Sequence, residues 1–251
     1  MSDAPKNHAL WNQLSELKAK YKWVDLTHEL GPETPHWYGF QPLAGKILFD
    51  FDAAPMKVYE YTVAGQYGTH ADVPGHFDPD GRLMHEIRVD ELAFPLCVVD
   101  KSGAVAGNHD YALTKQDILD WEAVHGEIPA GAFVAFRSDW SKRAAAEYDN
   151  KDTDGNAHYP GWDLDCVKWL SDVRGVGAIG HETSDTDPAN RQAEIGFAAE
   201  DYILRKDKLN VEVMKNLDQV PPVGSIIFVV FPKLKGGTGF PTRCFAICPK
   251  S

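Results

Sequence analysis

The stretch "QYGTHADVPGHFDPDGR", Gln66 to Arg82, places His70, Asp72 and His76 within seven residues. In an extended strand, residues two apart project to the same face, so His70 and Asp72 point together while Ala71 and Val73 face a core. Gln66 and Gly68 share that parity if the strand is regular. Gly68 leaves room for an ion or substrate against the backbone. Pro74-Gly75 breaks the ladder and turns the chain, so His76 approaches the same space from another direction. An imidazole beside a carboxylate suits zinc, manganese or ferrous iron. His76 suits a general base next to a metal-bound water. The competing reading is a polar loop whose histidines bond to carbonyls and whose Asp72 caps a turn. The spacing H-x-D-x-P-x-H favours the metal site.

Outward from this stretch, "KVYEYTVAG" reads as a strand entering it, and "WVDL" as a short strand before a Pro/Gly-punctuated loop. His8 to Tyr21 has apolar residues at three- and four-residue steps and predicts an N-terminal helix within residues 1–20. Thr114 with Asp117 forms a capping-box pattern, with Gly126 as the stop. "WDLDCVKWLSDVRG" and "FAAEDYILRKD" read as further helices. "FPLCVVD", "AFVAFRSD", "VGAIG", "SIIFVVFPKL" and "TRCFAICPK" read as strands, and the polar stretch from Lys142 to Pro160 as a surface loop. Helices and strands alternate only in the middle, which predicts one mixed α/β domain over 1–251 and not a regular doubly wound sheet.

The chain has 251 residues, 43% of them apolar, with a formal net charge of −12. That balance allows a sizeable core and argues against binding nucleic acid or an anionic membrane surface. The four cysteines form no C-x-x-C pair and are expected as small buried hydrophobes. No secretory signal or membrane span is legible, so the expected location is the cytoplasm.

The run Gly68-Thr69-His70-Ala71-Asp72-Val73-Pro74-Gly75-His76-Phe77 resembles the signature of the cyclase family of metal-dependent hydrolases, which includes kynurenine formamidases and isatin hydrolases. Further stretches are similar: "VDLTHELGPETPHW", "HYPGWDLDCVKWL", "NVEVMKNLDQV" and "VFPKLKGGTGFPTRCFAI", covering roughly Val24 to Ile247. The resemblance implies a swivelling β/β/α fold, a small-molecule substrate and a homodimer or homotetramer. It implies His70, Asp72 and Glu212 as metal ligands and His76 as the catalytic histidine.

Two positions depart from the two-zinc pattern of the formamidase branch. Gln66 stands where that branch has its first histidine, and Glu200 where it has a later one. An amide oxygen is a harder and weaker ligand than imidazole. The expectation is therefore one divalent ion, manganese in preference to zinc, with Gln66 as a further possible ligand. That points to opening of a small cyclic amide resembling isatin. The alternatives are hydrolysis of N-formylkynurenine, hydrolysis of a lactone, or a ligand-binding relative without catalysis. Trp37, in a loop that by resemblance closes over a planar substrate, together with His181 and Glu200, are the expected substrate contacts. Trp37 as a core anchor of its loop is the competing reading. His28 reads as a satisfied core or loop histidine, His158, just before Tyr-Pro-Gly, as a candidate to reach the site, and His85, His109 and His125 as surface residues.

Overall fold

The computed structural model describes residues 8–250. The first four strands are β1 (Tyr21–Asp25), β2 (Ala44–Phe49), β3 (Val58–Thr62) and β4 (His70–Asp72). The middle of the chain adds β5 (Ala93–Asp100), β6 (Ala112–Leu113), β7 (Phe133–Arg137), β8 (Gly161–Trp162) and β9 (Ala178–His181). The last four are β10 (Leu209–Glu212), β11 (Ser225–Val230), β12 (Gly239–Pro241) and β13 (Arg243–Pro249). Nine of them share one sheet in the order β1-β13-β11-β5-β7-β9-β10-β4-β12.

The middle of that sheet, β5-β7-β9-β10, is parallel. Parallel neighbours need crossovers, and helices supply them. Lys115–His125 lies between β5 and β7, Leu164–Trp169 between β7 and β9, and Ala198–Arg205 between β9 and β10. All three bury apolar residues in one cluster: Ile118 and Trp121, Cys166 and Val167, Ile203 and Leu204. Strand alternation splits the sheet between two cores. Cys97, Val99, Val134 and Phe136 face the helices. Leu96, Val98, Phe133 and Ala135 face a second cluster with Leu26, Met84 and Leu217. Both flanks are antiparallel, and β1 pairs with β13, so the two ends of the chain close on the same sheet. This is the mixed α/β architecture expected from the alternation of elements.

Thr114 and Asp117 form the anticipated capping box, with Gly126 at φ 91° ending the helix. All four cysteines are free and buried. The N-terminal helix spans Ala9–Lys20, and residues 1–7 of the expected segment lie outside the described residues. That helix buries none of its residues. No helix among the described residues is long and apolar enough to cross a membrane.

Three expectations need correction. "KVYEYTVAG" does not run into the metal stretch: β3 pairs only with β2, in a separate two-stranded sheet. Gln66 does not share a strand with His70, because β4 begins at His70 and Gly68 just before it sits at φ 63°. A left-handed residue cannot continue a pleated strand, so the parity argument stops there. The stretch from Lys142 to Pro160 is not wholly a surface loop, since Tyr148 and Tyr159 within it are buried. Their hydroxyls reach inward, to the Glu182 carbonyl and to Asp185.

Candidate active site and metal centre

Strand β4 lies between β10 and β12 and sets the site's register. His70 pairs with Glu212 across β10, and Asp72 pairs with Gly239 across β12. Side chains opposite each other on one face of an antiparallel pair stand about 5 Å apart at Cβ, so His70 and Glu212 meet despite their distance in sequence. Close approach of β12 requires a glycine. A Cβ on Gly239 would lie 2.3 Å from Asp72 Oδ1 and 2.5 Å from Gln66 Nε2.

His70 Nδ1 donates to the Gly68 carbonyl over 2.8 Å, which leaves Nε2 as the outward-facing donor atom. Nε2 lies 3.2 Å from Asp72 Oδ2 and 3.6 Å from Glu212 Oε2. His70, Asp72 and Glu212 are all buried and can present ligand atoms within 4.8 Å of one another. Ligand atoms about 2.1 Å from a shared ion stand roughly 3.0–3.4 Å from each other, so the observed spacings are close to those of one coordination sphere.

The electrostatics agree. Burial opposes a charge on His70, but Asp72, Glu212 and the Gly68 carbonyl overcome it and lift the imidazole to about 9. Burial likewise works against Asp72 as an anion, yet His70, then His76 and Gln66, hold it below its usual range. Among the described residues, no group donates to either oxygen of Asp72 with hydrogen-bond geometry. A buried carboxylate without donors is costly unless a cation compensates it. The donor set of one imidazole and two carboxylates therefore fits a divalent ion.

Glu212 is oriented by groups behind it. Its Oε1 accepts from Thr186 Oγ1 at 3.0 Å and from Asn210 Nδ2 at 3.2 Å. His181 Nε2 stands 3.3 Å from the same oxygen. The Trp162 indole N–H donates to His181 Nδ1 over 3.3 Å, which places the imidazole proton on Nε2, toward Glu212. Oε1 is thus engaged and Oε2 faces His70. The sequence offers His181 either as a substrate contact or as a group supporting the metal ligands. The structure places it behind Glu212, buried to 1% exposure.

The cavity above this cluster measures about 210 Å³. Trp37, Phe40, Phe77 and Phe197 form its apolar walls, and Gln66, His70, His76, Glu200 and Glu212 are among its polar lining. Typical small-molecule pockets run from about 300 Å³ upward, so this one suits a small planar ligand. His76 sits in a 3₁₀ turn, Pro74–His76, and the next residue's carbonyl accepts from Arg205 Nη2 at 2.8 Å. Its Nε2 is 3.9 Å from Glu200 Oε1. Glu200 opens the helix Ala198–Arg205, whose first amides at Ala199 and Glu200 are capped by Asp187. Burial, then Glu212, Asp72, Asp185 and Asp187, push the Glu200 carboxyl well above its usual range.

Trp37 lines the cavity as expected, packed against Phe40 with ring centroids 5.1 Å apart. Gln66 also lines it, with Nε2 donating to Thr238 Oγ1 over 3.3 Å. His158 does not reach the cavity: it pairs with Asp110 at 2.9 Å and Asp152 at 3.3 Å near the surface. Ser184 and Asp185 share the wall, in a stretch, Ile179 to Pro188, that by family resemblance borders the active site. Asp185 Oδ2 accepts the Tyr159 hydroxyl at 2.6 Å, and burial, then Glu212, push its carboxyl up to about 8. The signal lay in "HETSDTDP", a run dense in polar residues directly after an apolar strand.

The Cyclase family model matches residues 24–188. The isatin hydrolase of Roseibium aggregatum is 33% identical over 94% of this chain and 95% of its own. The kynurenine formamidase of Erythrobacter litoralis is 26% identical over 83% of this chain and 85% of its own. The structure of isatin hydrolase A from Ralstonia solanacearum superimposes with a TM-score of 0.88 at 32% identity, covering 99% of both chains.

Proposed function

This chain belongs to the cyclase family, and from that premise and the site geometry we propose that it is a metal-dependent hydrolase opening a small cyclic amide of the isatin type. The observation that carries the reading is the convergence of His70 Nε2, Asp72 and Glu212 Oε2 under a small aromatic cavity that also holds His76. A divalent ion bound by these three residues would polarise the amide carbonyl and lower the pKa of water. His76 takes a proton from the attacking water as its oxygen bonds to the acyl carbon. It returns that proton to the ring nitrogen as the carbon–nitrogen bond breaks, leaving a carboxylate and an amine. Trp37, Phe40, Phe77 and Phe197 hold the planar ring and exclude bulk water.

One ion, manganese in preference to zinc, suits a set with a single imidazole and two carboxylates. Gln66 is placed to steady the Asp72 carboxylate or to add a weak amide-oxygen contact. Glu200 faces His76 across 3.9 Å and stands outside the three-residue ligand cluster. A two-zinc formamidase would require Glu200 as a ligand, so this geometry favours the single-ion reading. The deciding experiment loads the metal-free protein with manganese or zinc, counts ions per chain, and assays isatin, N-formylkynurenine and a panel of lactones. About one ion per chain with isatin opening is expected. Two ions with turnover of N-formylkynurenine alone would replace this reading.

The chain reads as one hydrolase domain acting in the cytoplasm, consistent with four buried free thiols. It also reads as a homodimer or homotetramer. Leu10, Trp11 and Leu14 on the N-terminal helix, and Phe49, Phe51 and Tyr61 on and beside the β2-β3 hairpin, expose large apolar surface. Such surface is characteristic of subunit contacts.

A further inference from the structure

The segment from Thr183 to Asp187 is buried throughout, with every residue at 5% exposure or less. It is also firmly held. The Val213 amide donates to the Thr183 carbonyl at 3.0 Å, the Trp162 amide to Thr186 at 2.7 Å, and Thr183 Oγ1 to the Asp185 carbonyl at 3.0 Å. Gly161 packs so closely that a Cβ there would lie 2.5 Å from the Thr186 carbonyl oxygen. Ser184 Oγ is buried and has no hydrogen-bond partner among the described residues.

Buried polar atoms without partners are rare and call for a reason. Among the described residues, the orphaned side-chain atoms belong to His28, Asp72, His181, Ser184, Asn210 and Ser225. The Asp72 oxygens await a cation, and His181 Nε2 faces Glu212. Of the six, Ser184 is the one that lines the aromatic cavity. It stands two residues before Thr186, which holds Glu212 Oε1, and Glu212 lines the same cavity. Asp185 shares the wall, with Oδ2 taken by Tyr159.

We propose that the Ser184 hydroxyl is a specificity-determining donor that takes a second carbonyl oxygen of the substrate, the one on the carbon adjacent to the scissile acyl carbon. The preferred substrates are then lactams with a neighbouring ketone, and simple lactams of the same size are disfavoured. A site that leaves a buried donor unmet rejects an analogue lacking the acceptor. The inference rests on the hydrolase reading for the identity of the ring, and assigns to Ser184 the recognition of the ketone that an isatin-type ring carries beside its lactam carbonyl.

The test uses ligand binding, independent of turnover. Phenylglyoxylate and phenylacetate differ in the ketone beside the carboxylate, and each is titrated into the manganese-loaded protein by calorimetry. The unaltered protein is expected to prefer phenylglyoxylate by about ten-fold or more. Ser184→Ala should reduce that ratio to near one, and Ser184→Thr, which keeps the hydroxyl, should retain it. If Ser184→Ala fails to fold, Ser184→Cys keeps the volume with a weak donor and should lose the preference in the same way. Equal affinities in the unaltered protein, or an unchanged ratio in Ser184→Ala, overturn the proposal. Isatin turnover with a ratio indifferent to Ser184 would leave the hydrolase reading standing and remove this one. A Ser184-dependent ratio without isatin turnover would do the reverse.

Discussion

His70 and Glu212 are direct partners across the β4-β10 ladder, with His70 Nε2 3.6 Å from Glu212 Oε2. Each side chain has its other polar atom engaged: His70 Nδ1 by the Gly68 carbonyl, and Glu212 Oε1 by Thr186 and Asn210. The two remaining atoms can only face each other and the orphaned Asp72. That relationship makes the metal centre a property of sheet register, and it organises the predictions.

Proton and ion compete at His70. Burial opposes its charge, but Asp72 and Glu212 raise the metal-free imidazole to about 9, above the ordinary 6.5. Below that value a proton must leave before an ion enters, so metal affinity should rise with pH, by up to about ten-fold per unit below pH 9. In the metal-free protein the charged imidazole stabilises the fold fully below 6.5, and that contribution is lost as pH rises through about 9. Chelator-buffered titrations at several pH values measure the first effect. A flat affinity would contradict it.

Removing the proton carrier should spare the metal. His76→Ala is expected to lower kcat by about 10²–10⁴-fold while ion content per chain stays unchanged, because His76 is outside the ligand cluster. Full turnover with metal bound would sink the proposed base.

The groups behind Glu212 should be felt through the ion. His181→Ala takes away the Nε2 that faces Oε1, and Trp162→Phe removes the N–H that sets the His181 tautomer. Loss of such supporting groups costs about 10–100-fold in metal affinity. The tryptophan change should act in the same direction and more weakly. Unaltered dissociation constants in both variants would show that Thr186 and Asn210 suffice.

His28 should weaken the fold in acid. Burial, then the charge of Lys215, lowers its imidazole from 6.5 to about 4, and its Nε2 is buried without a partner. A depressed folded-state value means that neutral His28 supports the fold above 6.5, and the support drains away as pH falls toward about 4. His28→Gln should therefore lose less stability between neutral and acid pH, by on the order of 1–3 kcal/mol. Urea unfolding of both proteins at the two ends of that range measures the difference.

Charge placed on the exposed apolar surface should disrupt assembly. Trp11→Glu or Phe51→Glu, at residues 68% and 69% exposed, is expected to shift the protein toward monomer in light scattering. A chain that is already monomeric before substitution would refute the oligomer reading.

Much of the site was legible as linear pattern. His70, Asp72 and His76 lie so close in sequence that backbone geometry alone brings them together, and Glu212 was reached through the family's spacing. Gln66 lines the cavity, but the parity argument for it fails, because Gly68 in the left-handed region interrupts the strand that argument assumed. Whether His181 meets the substrate or stands behind Glu212 is not legible in the sequence, since a strand end gives no hint of which wall its ring will join. The stretch holding Ser184 and Asp185 was legible only as a border of the site, because a polar loop gives no sign of which of its side chains will be buried.

By itself the sequence determined local geometry: the 3.6- and 2-residue periods, the Thr114–Asp117 cap, and a histidine–carboxylate pair two residues apart. These depend on neighbours along the chain, so they can be read from it. Only the tertiary structure decided which oxygen of Glu212 faces His70, that Trp162 and His181 stand behind it, and that Ser184 is left without a partner on a cavity wall. Those facts depend on strands β4, β9, β10 and β12 meeting in one register, and on donors being used up by groups far away in sequence. Hydrogen bonding is exclusive and short in reach, so which groups remain free for chemistry is known only once all the others have been paired.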